Sequence, residues 1–199
     1  MAQAAQTARG AVDITYRLKD RYDRDRGRVY LTGTQALVRL PLMQAVRDKA
    51  AGLATGGFIS GYRGSPLGAY DQALWQAGDL LDAANVRFQP AINEDLAATA
   101  VLGTQQVEST GEGTVDGVFA IWYGKGPGLD RSGDALKHGN LYGSSPHGGV
   151  LVVAGDDHGV VSSSMPHQSE QVMMSWSMPV RTPADIQEYL DFGLYGFAL

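Results

Sequence analysis

The chain has 199 residues, of which 44% are hydrophobic and 19% charged, which is enough for one globular domain with its own core. The formal net charge is −5 and the basic residues are dispersed, so neither nucleic acid nor an anionic membrane is an expected partner. Because the chain contains no cysteine, it excludes disulfides, a thiol nucleophile, and any cysteine-held zinc or iron–sulfur cluster within these residues.

The first predicted elements are a polar lead-in and a long helix. Residues 1–30 are charged, and "LKDRYDRDRGR" is either a solvated segment or a partner-binding arm. A helix is predicted in "TGTQALVRLPLMQAVRDKAAG", with Thr32 or Thr34 as its N-cap and Pro41 at a kink. Its buried face is expected to contain Leu37, Leu40 and Val46.

Four short apolar strands then alternate with helices. The strands are predicted in "GGFIS", "NVRFQPAI", "GVFAIWYG" and "GGVLVVAG". Continuous apolar strands separated by helices are typical of an α/β fold, with a mainly parallel sheet and helices on both faces. Each strand is followed by a polar or glycine-rich stretch, namely "GYRGSPLG", "INED", "YGKGPGLD" and "GDDHGVVSSS". Since ligands bind beyond the carboxyl ends of parallel strands, these four loops are predicted to gather along one edge of the sheet.

Two carboxylates, Glu94 and Asp95, stand where the second strand gives way to a helix. Asn93 is a good N-cap, and acidic residues in a first helical turn are favoured by the exposed amides and the helix dipole. Capping can therefore account for both residues. A carboxylate at the carboxyl edge of a parallel sheet can equally be catalytic, and the local pattern leaves both interpretations open.

Other motifs are weaker. The histidines His138, His147, His158 and His167 lie about ten residues apart and lack metal-site spacing, so no metal-binding residue is predicted. "GKGPG" fails the phosphate-loop pattern, and no G-x-S-x-G is present. "GDDHG" is open between a cation-binding loop and aspartates that cap neighbouring amides. No apolar run reaches the length of a membrane span or signal-peptide core, which predicts a soluble, cytoplasmic protein.

Five stretches, taken in order, resemble a known family. They are "RGRVYLTGTQALVRLPL", "SGYRGSPLG", "NEDLAATAVLGTQ", "YGKGPGLDRSGDAL", and "GGVLVVAGDD" followed by "HQSEQ", and they cover roughly residues 28–171. Together they resemble the thiamine-diphosphate-dependent 2-oxoacid ferredoxin oxidoreductases, specifically the indolepyruvate ferredoxin oxidoreductases in their long fused bacterial form. The chain departs from that family's pattern at Arg63, where proline is usual, at Ser65, where threonine is usual, and at Asp130, where asparagine is usual.

The resemblance implies a role for several residues. Residues 31–199 would be the pyrimidine-binding domain of such an enzyme, and Glu94 would be the catalytic carboxylate that hydrogen-bonds the aminopyrimidine ring of thiamine diphosphate. Gly61, Gly64 and Ser65 would line the cofactor site. Ser65 and Arg63 would contact the substrate carboxylate, although Arg63 can equally face solvent.

The resemblance also implies an overall activity. This activity is the oxidative decarboxylation of an aryl 2-oxoacid, such as indolepyruvate, to an acyl-coenzyme A with electrons passed to ferredoxin. Thiamine diphosphate with Mg²⁺ and iron–sulfur clusters would be the cofactors, the diphosphate, magnesium and cluster sites lying in other domains of the same chain. A homo-oligomer is expected.

Two alternatives remain open at the sequence level. One is another thiamine-diphosphate 2-oxoacid enzyme, and the other is a non-catalytic, partner-binding domain of such a complex. The last residues, "EYLDFGLYGFAL", stop within an apolar helical pattern, so the domain is expected to be truncated at its C-terminal end and inactive alone.

Overall fold

The computed structural model describes residues 14–107, 109 and 111–199. Its internal contacts divide the chain into two units, Met1–Tyr30 and Leu31–Leu199. In the first unit, a short helix α1 spans Asp20–Asp23, and the side chains of Lys19 and Asp23 form an ion pair at 3.6 Å. The part of the predicted lead-in before residue 14 lies outside the described residues.

The second unit alternates strands and helices as predicted. Its strands are β1 (Gly56–Gly61), β2 (Val86–Phe88), β3 (Val118–Lys125) and β4 (Gly149–Gly155). Its helices in the described residues are α2 (Gly33–Ala50), α3 (Tyr70–Gln76), α4 (Gly78–Ala83), α5 (Glu94–Thr104), α6 (Gly126–Arg131), α7 (Gly133–Tyr142), α8 (Glu170–Ser175) and α9 (Ile186–Phe197). The strands form one wholly parallel sheet in the order β2-β1-β3-β4.

Helices cover both faces of this sheet, because side chains of the central strand β3 alternate between two cores. On one face, Ala120 and Trp122 belong to a buried cluster with residues of α5, α6 and α7. On the other face, Phe119 packs its ring against Phe197 of α9 at a centroid distance of 5.6 Å. A second cluster on that side joins α2 to α9 and includes Leu151 of β4. The predicted α/β fold with a parallel sheet is therefore confirmed.

The long helix α2 follows the sequence prediction at its start and departs from it near its end. Thr32 is the N-cap: its hydroxyl accepts from the Gln35 amide at 3.3 Å, while the Gln35 side chain accepts from the Thr32 amide at 3.0 Å. Pro41 lies inside the helix without ending it. The prediction that Val46 is buried is wrong, since 64% of it is exposed. The buried residues of α2 end at Leu42. The apolar helical pattern of the sequence continues to Val46, beyond the part of the helix that is packed against other elements.

The strand order decides where a ligand can enter. All four strands are parallel, so the segments that follow Gly61, Phe88, Lys125 and Gly155 leave from one edge, as predicted. The segment after Lys125 is helix α6 and not the predicted loop. The direction in which the chain adds strands reverses between β1 and β3. From β1 the chain goes to β2 on one side of the sheet, and it then adds β3 and β4 on the other side of β1. Loops that leave in opposite directions at such a reversal open a crevice. Among the described residues, no helix is long and apolar enough to cross a membrane.

Candidate functional site

Glu94 is the first residue of α5 and lies at the carboxyl edge of the sheet. The helix is capped by Asn93, whose side-chain oxygen accepts from the Leu96 amide at 2.8 Å, so the predicted N-cap is confirmed. The fully buried Trp122 donates its indole N–H to the Glu94 carbonyl at 3.0 Å, which ties this backbone to the central strand. Within the described residues, no hydrogen bond or ion pair engages the Glu94 carboxylate, and capping does not use it.

Two glycines make room for the Glu94 side chain. A Cβ atom on Gly128 would lie 2.5 Å from Cγ of Glu94 and 2.6 Å from its Oε1, and a Cβ on Gly124 would lie 3.4 Å from the same Cγ. The half-buried carboxyl group therefore packs against the backbone that leaves β3. A carboxylate that is shielded on one side and unpaired can accept hydrogen bonds from a ligand with N–H groups.

The loops after β1 and β4 meet beside this segment. The hydroxyl groups of Ser65 and Ser162 are hydrogen-bonded to each other, and Lys125 donates from Nζ to the Ser162 carbonyl at 3.4 Å. Gly155 lies so close to the β1 loop that an added Cβ would be 2.9 Å from Cδ of Pro66. The loops after β1 and β4 are thus in contact through residues 97 positions apart along the chain.

Asp157 organises the β4 loop. Its carboxylate accepts from the amides of Val161 at 3.0 Å and Ser162 at 2.8 Å, and from the hydroxyl of Ser163 at 2.7 Å. The hydrogen bond from the Ser162 amide, followed by those from Ser163 and Val161, lowers the pKa of Asp157 to about 2. The capping interpretation of this aspartate is therefore confirmed.

His167 lies between two carboxylates. Its Nε2 is 2.9 Å from Oδ2 of Asp130, and its Nδ1 is 3.4 Å from Oδ1 of Asp156. Asp156 also accepts from the Ser169 amide at 2.6 Å and from the Ser169 hydroxyl at 2.8 Å. The imidazole is 10% exposed and packs over Gly126, where a Cβ would lie 2.1 Å from Nδ1. Helix α6 is therefore held to the loop after β4 by the imidazole of His167.

The residues predicted for the site fall into two groups. Arg63, Gly64 and Ser65 lie in the loop after β1, whereas Glu94 contacts the segment after β3. The groups meet through adjacent residues, because Gly64 lies near Cβ of Lys125 and Gly124 lies near Glu94. Arg63 is exposed and, among the described residues, has no carboxylate partner.

The structure gives Gly61 a packing role. A Cβ there would lie 2.1 Å from the Tyr123 carbonyl oxygen and 2.5 Å from Cδ1 of its ring, so the close approach of β3 alone requires glycine. Contact between Gly61 and a cofactor stays a prediction. Tyr123 itself is fully buried, as is Trp122, so both aromatic residues at the end of β3 belong to the core.

Sequence reasoning did not single out Asp156, Ser162 and His167 as a connected group. The available signal was their position in "GDDHGVVSSS" and "HQSEQ", immediately beyond the carboxyl end of β4. Asp156, His158 and Glu170 also bring potential metal ligands close together. This closeness depends on the path of the β4 loop, which residue spacing does not reveal.

The fold is a parallel α/β domain whose strand order reverses between β1 and β3, with the Glu94 carboxylate at the carboxyl edge of its sheet. Comparison of the sequence with models of known protein families and with curated proteins finds no match.

Proposed function

We propose that residues 31–199 bind the aminopyrimidine half of thiamine diphosphate in a 2-oxoacid ferredoxin oxidoreductase of the indolepyruvate type. The observation that carries the proposal is the Glu94 carboxylate, which is half-buried at the carboxyl edge and unpaired among the described residues. The resemblance of five ordered sequence stretches supplies the choice of cofactor and family.

The residues around Glu94 suit an aminopyrimidine ring. Such a ring offers N–H groups at its edge, and a carboxylate supplies only acceptors. Gly124 and Gly128 have no side chains, which leaves room for the Glu94 side chain itself to lie against the backbone at the end of β3 and in α6. Asn93 satisfies the helix amides, so binding a ligand through Glu94 does not uncap α5.

In the proposed mechanism, bound thiamine diphosphate supplies the carbon nucleophile and electron sink for loss of carbon dioxide from a 2-oxoacid. Glu94 would hold a proton shared with a nitrogen of the pyrimidine ring, and Trp122 ties the Glu94 backbone to β3 through the Glu94 carbonyl. Arg63 and Ser65 would orient the substrate carboxylate. Lys125 holds the Ser162 loop beside them. Coenzyme A, ferredoxin, Mg²⁺ and the iron–sulfur clusters would be bound by other domains.

The first prediction tests Glu94 in the 199-residue protein. The probe is 4-amino-5-hydroxymethyl-2-methylpyrimidine, the aminopyrimidine half of the cofactor without its diphosphate, titrated and followed by NMR. We expect saturable binding that weakens about 10–100-fold in Glu94→Gln, since a hydrogen bond to a charged group contributes about 1.5–3 kcal/mol. Asp95→Asn is the matched control and should bind like wild type. Circular dichroism checks that both variants fold.

Several outcomes would contradict this assignment. If wild type does not bind the probe saturably, or if Glu94→Gln binds it equally well, the aminopyrimidine proposal fails. If Asp95→Asn alone loses binding, the assignment is wrong by one residue. In the assembled oxidoreductase, Glu94→Gln should lower turnover by about 10²–10⁴-fold, the usual value of acid–base assistance.

Two other functions are distinguished by further measurements. A non-catalytic partner-binding domain would tolerate Glu94→Gln in the assembled enzyme without loss of turnover. Another thiamine-diphosphate enzyme would bind the probe but would not reduce ferredoxin when given a 2-oxoacid and coenzyme A. The proposed enzyme should reduce ferredoxin only when both are present.

A further inference from the structure

A group of potential metal-ligating side chains lies beyond the carboxyl end of β4. Asp156 and His158 are in the loop after β4, and Glu170 is the first residue of α8. One potential ligand atom from each of these residues lies within 4.8 Å of the others. The group combines an imidazole with two carboxylates.

A second, independent observation concerns the Glu170 carboxylate. Oε2 of Glu170 is buried and, among the described residues, has no hydrogen-bond partner. A buried carboxylate oxygen is strongly disfavoured unless a donor or a cation compensates it. Glu170 is one of the three residues of this group, so a metal ion bound to the group through Oε2 would satisfy that oxygen.

The three side chains differ in how firmly they are held. Asp156 is fixed by the amide and hydroxyl groups of Ser169 at 2.6 and 2.8 Å, which is how ligating carboxylates are commonly supported. His158 is exposed and has no partner in the described part of the chain, so its ring is free to turn toward the carboxylates. His167, by contrast, is already engaged by Asp130 and Asp156.

We propose that Asp156, His158 and Glu170 bind a divalent transition-metal ion of the Zn²⁺ type. Zn²⁺ accepts one imidazole nitrogen and two carboxylate oxygens, whereas Mg²⁺ prefers oxygen ligands alone. Tetrahedral coordination places ligand atoms about 3.3 Å from one another, so the three ligand atoms, which now lie within 4.8 Å of one another, would move closer together on binding the ion. Three protein ligands leave a fourth position for water or another small ligand.

This site does not rest on the proposed thiamine chemistry. It uses none of the residues assigned to the pyrimidine ring or the substrate, and its ligands converge because the β4 loop folds back to the start of α8. The ion would pin this loop, which also carries Ser162 to the β1 loop and to Lys125. The site can therefore be tested without thiamine diphosphate or substrate.

The second prediction uses Zn²⁺ alone as the probe. The 199-residue protein, stripped with a chelator, is titrated with Zn²⁺ by calorimetry, and its melting temperature is measured with and without the ion. We expect one ion per chain, a rise in melting temperature, and binding that weakens at least about tenfold in both His158→Gln and Glu170→Gln. His147→Gln is the matched control, because His147 is also an exposed loop histidine but lies outside the group.

The controls separate a built site from surface binding. Glu170→Gln keeps the side-chain shape, and circular dichroism establishes that each variant is folded. If Zn²⁺ does not saturate at one ion per chain, or if Glu170→Gln retains wild-type affinity, the site is refuted. Equal losses in His147→Gln and His158→Gln would also refute it, and Mg²⁺ binding as tightly as Zn²⁺ would overturn the choice of ion.

Discussion

At the scale of single residues, the position of the Glu94 carboxylate depends on a neighbouring residue that has no side chain. Gly128 has no side chain, and a methyl group in its place would overlap Cγ and Oε1 of Glu94. These atoms are near the flexible end of a side chain, so the carboxylate can move aside with little cost to the fold. Gly128 is therefore better explained by the orientation of Glu94 than by stability.

The third prediction separates these two roles. Gly128→Ala should change the free energy of unfolding by less than about 1 kcal/mol, because the displaced group is flexible, while it weakens aminopyrimidine binding about as much as Glu94→Gln. The double variant should bind no more weakly than Glu94→Gln alone, since both changes remove the same interaction. Urea unfolding and NMR titration measure the two effects.

Gly103 is the matched control for Gly128. It lies in α5, and an added Cβ there meets nothing within 4 Å in the described structure. Gly103→Ala should stabilise the protein by about 0.5–1 kcal/mol and leave binding unchanged. If Gly128→Ala binds the probe like wild type, the orienting role of this glycine is wrong.

At the scale of elements, α3 is joined to the central strand through a buried polar contact. The Tyr123 hydroxyl of β3 donates to Oδ1 of Asp71 in α3 at 2.6 Å, and Asp71 is only 3% exposed. Burial, reinforced by the hydrogen bond to Asp71, raises the pKa of Tyr123 above its ordinary value, so the hydroxyl stays protonated and donates. The neighbouring Tyr70 packs edge-on against Tyr123 at 5.0 Å and donates to the Leu37 carbonyl.

The fourth prediction compares the two tyrosines. Tyr123→Phe should lower the free energy of unfolding by about 1–3 kcal/mol, because it leaves a buried carboxylate without its donor. Tyr70→Phe removes a hydroxyl of the same kind from a neutral carbonyl and should cost about 0.5–1.5 kcal/mol. Denaturant unfolding with unchanged m-values is the measurement. A Tyr123→Phe protein as stable as wild type would show that this contact does not stabilise the pairing of α3 with β3.

At the scale of the whole molecule, the sheet order predicts where the domain opens first. β3 is paired on both sides, to β1 and β4, and six of its eight residues are buried. β2 has three residues, lies at an edge and pairs only with β1. Local stability follows burial and hydrogen bonding, so the two strands should differ strongly in protection.

The fifth prediction follows for native-state hydrogen exchange. Amides of β3 should exchange only through global unfolding, amides of β2 through local opening at lower free energy, and those of the longer edge strand β4 between the two. NMR-detected exchange in increasing denaturant measures the three classes. If the amides of β2 are protected as strongly as those of β3, the two strands unfold together and the prediction that the edge strand β2 opens first is wrong.

Parts of the fold that depend on neighbouring residues were predictable from the sequence. The apolar runs of the four strands, the Asn93 cap and the burial of Trp122 and Tyr123 arise from patterns within a few positions. The position of the four segments along one edge of the sheet was also predictable, because parallel strands carry their carboxyl ends to the same side. Val46 shows the limit, since helical periodicity identifies a face but does not say how far along that face a partner extends.

The sequence by itself therefore determined the parallel α/β class, the edge at which a ligand would bind and the candidate carboxylate Glu94. Only the tertiary structure decided which loop residues meet across that edge. The contacts of Ser65 with Ser162 and of Asp130 with His167 join residues that are separated along the chain, and Asp156 and Glu170 come near each other in the same way. Their closeness depends on strand order and loop path. These are set by packing of the whole sheet, because no local pattern of hydrophobic or capping residues encodes the distance between two loops.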